Sequence, residues 1–310
     1  MSSTAVLRRV LKVITLADVV FLVSVAGFTV SVLARRGGLT RGVRGSEVCA
    51  WLLFAGFWVG EAAGHVPDRR LFLTVVSVAT ATVSAYVSTL AARGRDPHRQ
   101  LTAAFAVMGL LYVPYQFLLP VYHAVLGAVT GHTVWGLGVV GFDPALEVGV
   151  TGQPTALRFA AAPFVQYNIV SACTGVNAIA LFAGIVAVAD ASLRRRVAVA
   201  VAVGALVYCL NVVRTVVVGG ALGGAWFAFA RPVVEPLFGV TRPPVVSFYF
   251  AEYLLVQMLV VVVLSGVYLA VVRVLPSVQG FVDELLSVAV ADAGGFRSRA
   301  TRRGTRDGQR

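Results

Sequence analysis

Long apolar runs with arginine at their ends divide this chain, and they constrain its fold more than any other feature. Each run is about 20 residues long, which is the length that an α-helix needs to cross the roughly 30 Å hydrocarbon layer of a membrane. Of the 310 residues, 58% are hydrophobic and 13% are charged, whereas a soluble domain carries about 25% charged residues. The pattern predicts an all-α, polytopic bundle of transmembrane helices, a multi-pass protein of the cell membrane.

Seven membrane spans are predicted from the positions of these runs. They cover roughly residues 13–33, 48–66, 71–92, 101–120, 164–189, 197–218 and 247–272. Residues 121–163 mix Gly, Pro and aromatic residues, which predicts a folded loop or interfacial helix. A re-entrant element, or a weak eighth span, is expected around 124–142. A second outer loop is predicted at 219–246.

The distribution of positive charge predicts the orientation of the spans. The net charge is +12, and the loops at 34–47, 93–100 and 190–196 are basic. Cytoplasmic loops of membrane proteins carry such an excess of arginine and lysine, so topology explains the charge and no nucleic-acid partner is expected. With seven spans and these loops inside, the N-terminus is predicted to lie outside despite its three basic residues. The tail at 277–310 is predicted to be cytoplasmic, with an amphipathic stretch at 278–291 and then a disordered basic segment.

Three polar positions lie at similar depth in the last three predicted spans. Cys173 is 21 residues before the arginines at 194–196, and Arg214 is 18 residues after them. The Glu252-Tyr253 pair is 21 residues before Arg273. At a rise of ~1.5 Å per residue these separations are roughly 27–31 Å, close to the full hydrocarbon thickness. If the arginines mark one membrane face, a thiol, a guanidinium and an acid or phenol reach the opposite face together.

Each of these residue types allows two roles. Arg214 either faces the protein interior or snorkels to the headgroups, and Asn211, one turn earlier, extends it into a polar stripe. Cys173 is either an inert packing residue among small neighbours or a nucleophile. A nearby guanidinium would lower the pKa of the thiol and could stabilise an oxyanion on an attacked carbonyl.

The partner of a nucleophilic Cys173 is not a histidine of the last three spans, since all four histidines precede residue 133. His123 or His132 could fold back from the outer loop; otherwise Glu252 and Tyr253 are the candidates. Tyr253 could equally be an interfacial aromatic residue.

The remaining charged and sulfur-containing residues have simpler interpretations. Glu252 is expected to pair with Arg214 or Arg242. Cys49 and Cys209 are predicted to be packing residues. The three cysteines fit neither a disulfide framework nor a zinc site, and neither a metal nor a cofactor is predicted.

Short motifs around these positions resemble the archaeosortase/exosortase family. They are Ser171-Ala172-Cys173-Thr174-Gly175, Leu210-Asn211-Val212-Val213-Arg214 and Val246-Ser247-Phe248-Tyr249-Phe250-Ala251-Glu252-Tyr253. Weaker similarity is found in Tyr112-Val113-Pro114-Tyr115-Gln116 and Gly141-Phe142-Asp143-Pro144-Ala145-Leu146. The resemblance covers about residues 105–277, and the paired Cys and Arg motifs make it fairly specific.

The resemblance implies a membrane-embedded cysteine protease of transpeptidase type. Such an enzyme cleaves a C-terminal sorting signal of secreted proteins at the outer face of the membrane, coupled to attachment of a lipid anchor. Its partners would be proteins with a tripartite signal, made of a Pro-Gly-Phe-like motif, a hydrophobic span and basic residues. A membrane lipid would accept the acyl group.

The family pattern also implies roles for individual residues. Cys173 would form the acyl-thioester, and Arg214 would act as proton donor or oxyanion stabiliser. The third family position, an Asp-Arg pair, is Glu252-Tyr253 here, so Tyr253 is the third catalytic candidate, with a hydrogen-bond donor but no positive charge. Asn211 and Glu252 are candidate substrate-binding residues.

Three parts of the chain are expected on this basis: N-terminal transmembrane helices at 1–100, an archaeosortase-like catalytic membrane domain at 101–276, and the tail at 277–310. Two other functions stay open. A non-catalytic paralogue would explain the changed third position. A transporter or lipid-binding bundle would use Arg214 and Glu252 as an internal polar site, with Cys173 as a packing residue.

Overall fold

The computed structural model describes residues 15–38, 42–67, 71–94, 98–284, 286–288 and 290–291. The N-terminal basic segment, parts of the first three loops and the predicted disordered tail at 292–310 lie outside the described residues. The helices before the sheet are α1 (Leu16–Arg36), α2 (Val43–His65), α3 (Leu71–Arg93), α4 (His98–Phe117) and α5 (Leu119–Val139). The helices after it are α6 (Val176–Ala187), α7 (Leu193–Gly224), α8 (Arg231–Phe238), α9 (Pro243–Tyr249) and α10 (Val256–Val274).

The first four helices form a bundle with an aromatic core. Thr15 and Asp18 make a capping box at the start of α1, which satisfies free backbone donors of the first turn. Inside the bundle, Phe28, Trp51 and Phe54 are at most 1% exposed. Their rings lie edge-on or tilted at 4.7–6.1 Å, an arrangement that aromatic pairs prefer.

Small residues allow α4 to lie against two antiparallel neighbours. A Cβ on Gly109 would be 2.4 Å from a methyl group of Val25 in α1. In α6, a Cβ on Gly184 would be 2.4 Å from the carbonyl oxygen of Ala104. Such close approach of helix backbones is the usual role of small residues in membrane bundles. Because α4 contacts α1 and α6, it joins the N-terminal bundle to the segment that carries Cys173.

A small antiparallel sheet interrupts the helices. Its strands are β1 (Ala145–Val148), β2 (Pro154–Arg158) and β3 (Gln166–Asn168), in the order β1-β2-β3. The register pairs Leu146 with Leu157, and Leu157 with Tyr167. Leu157 is fully buried and anchors the sheet on the core that surrounds Cys173.

The last membrane helix contains a wider turn. Residues 243–274 form one continuous 32-residue helix, in which a π-helical segment, Phe250–Leu255, separates α9 from α10. An inserted π turn rotates the side chains around it, and such turns are frequent at functional sites. Glu252 and Tyr253 both lie in this segment.

Five helices of the described chain are long and apolar enough to cross a membrane, rather than the seven or eight predicted. They are α1, α2, α3, α7 and the continuous helix 243–274. The multi-pass helical class is therefore confirmed, while the predicted number of spans is not.

The predicted span at 164–189 is wrong. This segment holds β3, a 3₁₀ turn at Ser171–Cys173 and only then the 12-residue helix α6, which is roughly 18 Å long at 1.5 Å per residue. A buried strand followed by a short buried helix forms an apolar run about as long as one membrane span. Hydropathy and periodicity alone therefore do not distinguish this arrangement from a transmembrane helix.

The two outer segments are also more ordered than predicted. Residues 121–163 contain most of α5 as one continuous helix, followed by β1 and β2, so 124–142 does not turn back as a re-entrant element. In the second segment α7 continues to Gly224, and the short helix α8 follows. The all-α prediction therefore missed the sheet.

The arginine-rich helix ends lie on one face of the protein. Arg195 donates from Nη2 to the carbonyl of Val274 at 2.6 Å, which joins the start of α7 to the end of α10. The antiparallel contacts of α4 with α6 and α1 place Arg99 and Arg35 at the same end as these residues. This face agrees with the cytoplasmic side expected from the basic loops.

Candidate active site

Cys173 lies in a tight turn between the sheet and α6. Its amide donates to the carbonyl of Val170 at 2.8 Å, and the amide of Thr174 donates to Ser171 at 3.1 Å. Gly175 then has a φ of +71°, a left-handed conformation that favours glycine over other residues. Only two residues, Thr174 and Gly175, separate Cys173 from the start of α6 at Val176.

A tyrosine of α4, Tyr115, forms hydrogen bonds with this turn. The hydroxyl of Tyr115 is 3.1 Å from Ser171 Oγ and 3.1 Å from Thr174 Oγ1. Thr174 Oγ1 also donates to the carbonyl of Ser171 at 2.8 Å. Since Tyr115 is 2% exposed, its hydroxyl depends on these partners, and they restrict the position of the residues on both sides of Cys173.

Asn211 of α7 contacts the same turn from the side. Its Nδ2 donates a short hydrogen bond to the carbonyl oxygen of Cys173. A Cβ on Gly175 would lie 3.2 Å from Asn211 Cβ, so the glycine is needed both for its backbone conformation and for this close approach. The amide therefore orients the backbone that carries the thiol.

Arg214 lies one turn beyond Asn211 and bridges two elements. Its Nη1 donates to the carbonyl of Ala172 at 3.3 Å, and its Nη2 donates to Glu252 Oε1 at 2.5 Å. The two side chains are 15% and 20% exposed. Of the two partners expected for Glu252, Arg214 is the one that it contacts, and Arg214 faces the protein interior rather than only the headgroups.

Burial controls the ionisation of Cys173. The residue is 4% exposed, and this burial raises the pKa of the thiol, while the positive charge of Arg214 lowers it. Tyr167 of β3 is 4% exposed and packs in the same core as Cys173. Sequence analysis missed Tyr167 and assigned no role to Tyr115 or Gly175, although Gly175 lies within the cysteine motif and Tyr115 within the weaker motif of residues 112–116.

Tyr253 takes part in an aromatic cluster next to the site. Its ring stacks on Tyr249 at 5.3 Å with an interplanar angle of 22°, and lies 5.5 Å from the ring of Phe238 in α8. Arg242 lies over the ring of Phe164 at 4.2 Å. The neighbour of Tyr253 in the chain, Glu252, pairs with Arg214.

The remaining candidates have other neighbours. His132 Nδ1 lies 2.7 Å from the hydroxyl of Tyr208 in α7, and the ring of His123 lies 5.8 Å from that of Tyr122. Cys49 and Cys209, which were predicted to be packing residues, are exposed on the surface of α2 and α7 and so do not belong to the core of this protein.

The geometry places a buried thiol, a guanidinium and an amide within one compact cluster. A cation next to a thiol stabilises the thiolate and a developing oxyanion. The Nε of Arg214 is buried and has no acceptor among the described residues, so one donor of the guanidinium is left for another oxygen. A thiol, a nearby cation and a free donor are the kinds of group that acyl transfer to sulfur uses.

Comparison with known proteins shows which sequences this chain is similar to. The model of the transmembrane exosortase family matches residues 15–231. The chain is 30% identical to archaeosortase A of Haloferax volcanii over 258 residues, which are 78% of this chain and 84% of that protein. It is also 30% identical to archaeosortase A of Natronomonas pharaonis over 291 residues, 91% of this chain and 92% of that protein. No solved structure matches the chain.

Proposed function

The chain belongs to the transmembrane exosortase family, and from this premise we propose that it is a membrane-embedded cysteine protease of transpeptidase type. Family membership supports the general class, a membrane enzyme of protein sorting. The observation that carries the specific proposal is the contact of Arg214 with the turn that holds Cys173, since its Nη1 is 3.3 Å from the carbonyl oxygen of Ala172.

In the proposed reaction, Cys173 Sγ attacks the carbonyl carbon of the scissile peptide bond. The bond from that carbon to nitrogen then breaks, the thiol proton passes to the leaving amine, and a thioester links the substrate to the enzyme. A second nucleophile attacks the thioester and returns a proton to the sulfur. That nucleophile is a lipid headgroup amine for anchor attachment, or water for simple cleavage.

Arg214 acts in this reaction through its charge. A guanidinium keeps its proton at neutral pH, so among the two roles implied by the family pattern oxyanion stabilisation fits the chemistry better than proton donation. The buried Nε–H group, which has no acceptor among the described residues, is a suitable donor to the oxyanion. Glu252 holds the guanidinium in place, and Asn211 orients the backbone of Cys173.

The substrate of the proposed reaction is a secreted protein with a C-terminal sorting signal. A Pro-Gly-Phe-like motif would reach Cys173 at the outer boundary of the membrane, because the hydrophobic span that follows it lies in the bilayer. The basic end of the signal would remain on the cytoplasmic side. The helices α7 and 243–274 surround Cys173 and are the surfaces that such a span would meet.

A non-catalytic role is favoured by one observation. Tyr253 stands at the third family position, and its ring stacks on Tyr249 and contacts Phe238. A tyrosine held in an aromatic cluster cannot supply the charge of an arginine at that position. A paralogue with the family scaffold and no cleavage is therefore the second candidate function.

The experiment that tests the proposal is co-expression with a secreted protein that carries the tripartite signal, followed by mass measurement of its C-terminus. Wild type and Cys209→Ala are expected to cleave it, whereas Cys173→Ala is expected to leave the precursor intact. Cys209 is the matched control because it is an exposed cysteine of the same membrane domain. Normal processing by Cys173→Ala would refute the cysteine mechanism.

Tyr253→Arg separates the two candidate functions. If the wild type cleaves, tyrosine suffices at the third position. If only Tyr253→Arg cleaves, the chain is a paralogue that has lost activity through this change. A control variant, Tyr249→Arg, places the same charge one turn earlier and is expected to restore nothing.

A further inference from the structure

A buried tyrosine in the core around Cys173 has a hydroxyl group with no hydrogen-bond partner among the described residues. Tyr167 is the middle residue of β3 and is 4% exposed. Its hydroxyl oxygen is buried, and no described residue donates to it or accepts from it. Such a group costs free energy, because on folding it loses its hydrogen bonds to water without gaining others. An acceptor that arrives with a bound substrate would remove this cost.

The sheet and the last membrane helix hold this tyrosine in place. Tyr167 pairs with the fully buried Leu157 in the register of β2 and β3. Its ring lies 5.8 Å from that of Phe248 in α9, at an interplanar angle of 66°. Tyr167, Leu157 and Cys173 belong to one hydrophobic core. Strand pairing and the ring contact therefore fix the Tyr167 side chain within the core that contains the thiol.

The ionisable groups that act on the Tyr167 hydroxyl are those of the candidate active site. Burial raises the pKa of the Tyr167 phenol well above its ordinary value. The charges of Cys173 and Glu252 raise this pKa further, and the positive charge of Arg214 lowers it. The phenol therefore keeps its proton at neutral pH. A protonated phenol is a hydrogen-bond donor and is not the base that removes the thiol proton.

Two buried donors near Cys173 lack an acceptor among the described residues. One is the hydroxyl of Tyr167, and the other is the Nε–H group of Arg214. They belong to different elements, β3 and α7. Enzymes that transfer acyl groups place such preorganised donors where the negative oxygen of the tetrahedral intermediate forms. The missing acceptor therefore matches the oxyanion that an attack by Cys173 on a carbonyl group would produce.

We propose that the Tyr167 hydroxyl is a further catalytic group, which donates to the oxyanion formed when Cys173 attacks a carbonyl carbon. This inference rests on the acyl transfer proposed above. In the attack a carbon–sulfur bond forms and the π electron pair of the carbonyl moves to oxygen. Tyr167 and Arg214 donate hydrogen bonds to that oxygen and keep their protons. When the pair returns, the bond from carbon to the leaving nitrogen breaks, and the leaving amine takes the proton that the thiol has lost.

The test compares two small reagents for Cys173 in the purified full chain. Cys49→Ser and Cys209→Ser remove the other two cysteines. p-Nitrophenyl acetate acylates the thiol through a tetrahedral oxyanion and releases p-nitrophenolate. Iodoacetamide alkylates the thiol at a saturated carbon and releases iodide, without an oxyanion. The mass of the chain reports both products, and neither reagent requires a sorting signal.

Tyr167→Phe is expected to slow the acylation by ~100-fold, the lower end of what the loss of one oxyanion donor costs, and to leave the alkylation rate unchanged. The variant should unfold at the same or a higher temperature than the parent, because it removes a buried polar group that has no partner. A purely structural role would lower that temperature instead. Tyr112→Phe is the matched control, since its hydroxyl lies 3.2 Å from Gln116 Oε1, and it should change neither rate.

Equal losses of both rates in Tyr167→Phe would show that the residue acts on the thiol itself, and they would overturn the proposal. No acylation of the parent, or equal acylation of the parent and Tyr167→Phe, would overturn it as well. Failure of the proposed function has a different signature. Acylation that depends on Tyr167, without cleavage of any sorting signal, would keep the oxyanion site and reject the protease. Cleavage of the signal at an unchanged rate by Tyr167→Phe would do the reverse.

Discussion

Arg214 and Glu252 connect α7 to the π-helical segment of the last helix, with Nη2 and Oε1 2.5 Å apart. The same guanidinium reaches the turn of Cys173 through the carbonyl of Ala172. One residue therefore couples the packing of two membrane helices to the position of the proposed nucleophile. Changes at this pair are expected to alter both stability and activity.

Glu252→Gln is expected to destabilise the protein by about 3 kcal/mol, because it leaves a largely buried guanidinium without a counter-charge. Thermal unfolding in detergent measures the loss. The matched control is Glu235→Gln, since the pair of Glu235 with Arg231 is 43% and 56% exposed and such surface pairs contribute about 0–1 kcal/mol. Equal shifts in the two variants would contradict the role assigned to the buried pair.

The reactivity of Cys173 is expected to be low at neutral pH and to rise with pH. Burial raises the pKa of its thiol, and the thiolate is the reactive form. The alkylation rate by iodoacetamide, measured in a Cys49→Ser, Cys209→Ser background, should therefore keep rising above pH 8.5, about the ordinary thiol pKa. A rate already constant from pH 7 would show that the thiol is ionised in the resting protein.

Removal of the Arg214 charge is expected to slow this alkylation further at any fixed pH. The guanidinium lowers the pKa of the Cys173 thiol, so Arg214→Gln raises that pKa and reduces the thiolate fraction. Arg231→Gln, an exposed arginine of the outer segment, is the control and should leave the rate unchanged. A faster reaction in Arg214→Gln would mean that the guanidinium acts mainly by covering the thiol.

Gly175→Ala is expected to reduce cleavage by one to two orders of magnitude, on the order of what a 1 Å misplacement of a catalytic group costs. The added methyl group meets Asn211 at 3.2 Å, and the left-handed backbone is strained by roughly 1–2 kcal/mol. Gly239→Ala is the matched control, because Gly239 has a φ of +70° with nothing within 4 Å. Both variants should lose similar stability, and only Gly175→Ala should lose activity.

The outer sheet is expected to loosen only in acid. A hydrogen bond from Arg158 Nε, 2.6 Å from Glu147 Oε1, lowers the pKa of Glu147. A lowered carboxyl pKa gives stability that is present above about pH 4.3, the ordinary value, and is lost as the pH falls through the folded-state value. Hydrogen exchange of residues 145–158 should accelerate in that range, and Glu147→Gln should remove the pH dependence.

Sequence patterns were sufficient for the long helices. Each of α1, α2, α3 and α7 contains an apolar run that predicted it, and the Glu252–Arg214 pair was expected from two opposite charges at similar depth. These features depend on hydropathy and helical rise, which are properties of a local segment. The same reasoning failed at 164–189, where a strand, a turn and a short helix replace one predicted span.

Local sequence patterns also did not predict that Tyr115 and Tyr167 lie near the turn of Cys173. Tyr115 lies 56 residues before Ser171, and its hydroxyl meets the turn only because α4 and α6 pack antiparallel. Tyr167 packs in the core around Cys173 because β3 is held there by β2. Tyr115 belongs to the weaker motif of residues 112–116, but that motif does not indicate a contact with the Cys173 turn, and Tyr167 lies in none of the motifs.

The sequence alone determined that this protein is a helical membrane protein and which motifs hold the thiol and the guanidinium. Only the tertiary structure decided that Cys173 lies in a buried turn outside the membrane helices and that Glu252 pairs with Arg214. The physical reason is that hydropathy and charge act along the chain, whereas burial, hydrogen bonding and ion pairing depend on which segments pack against each other.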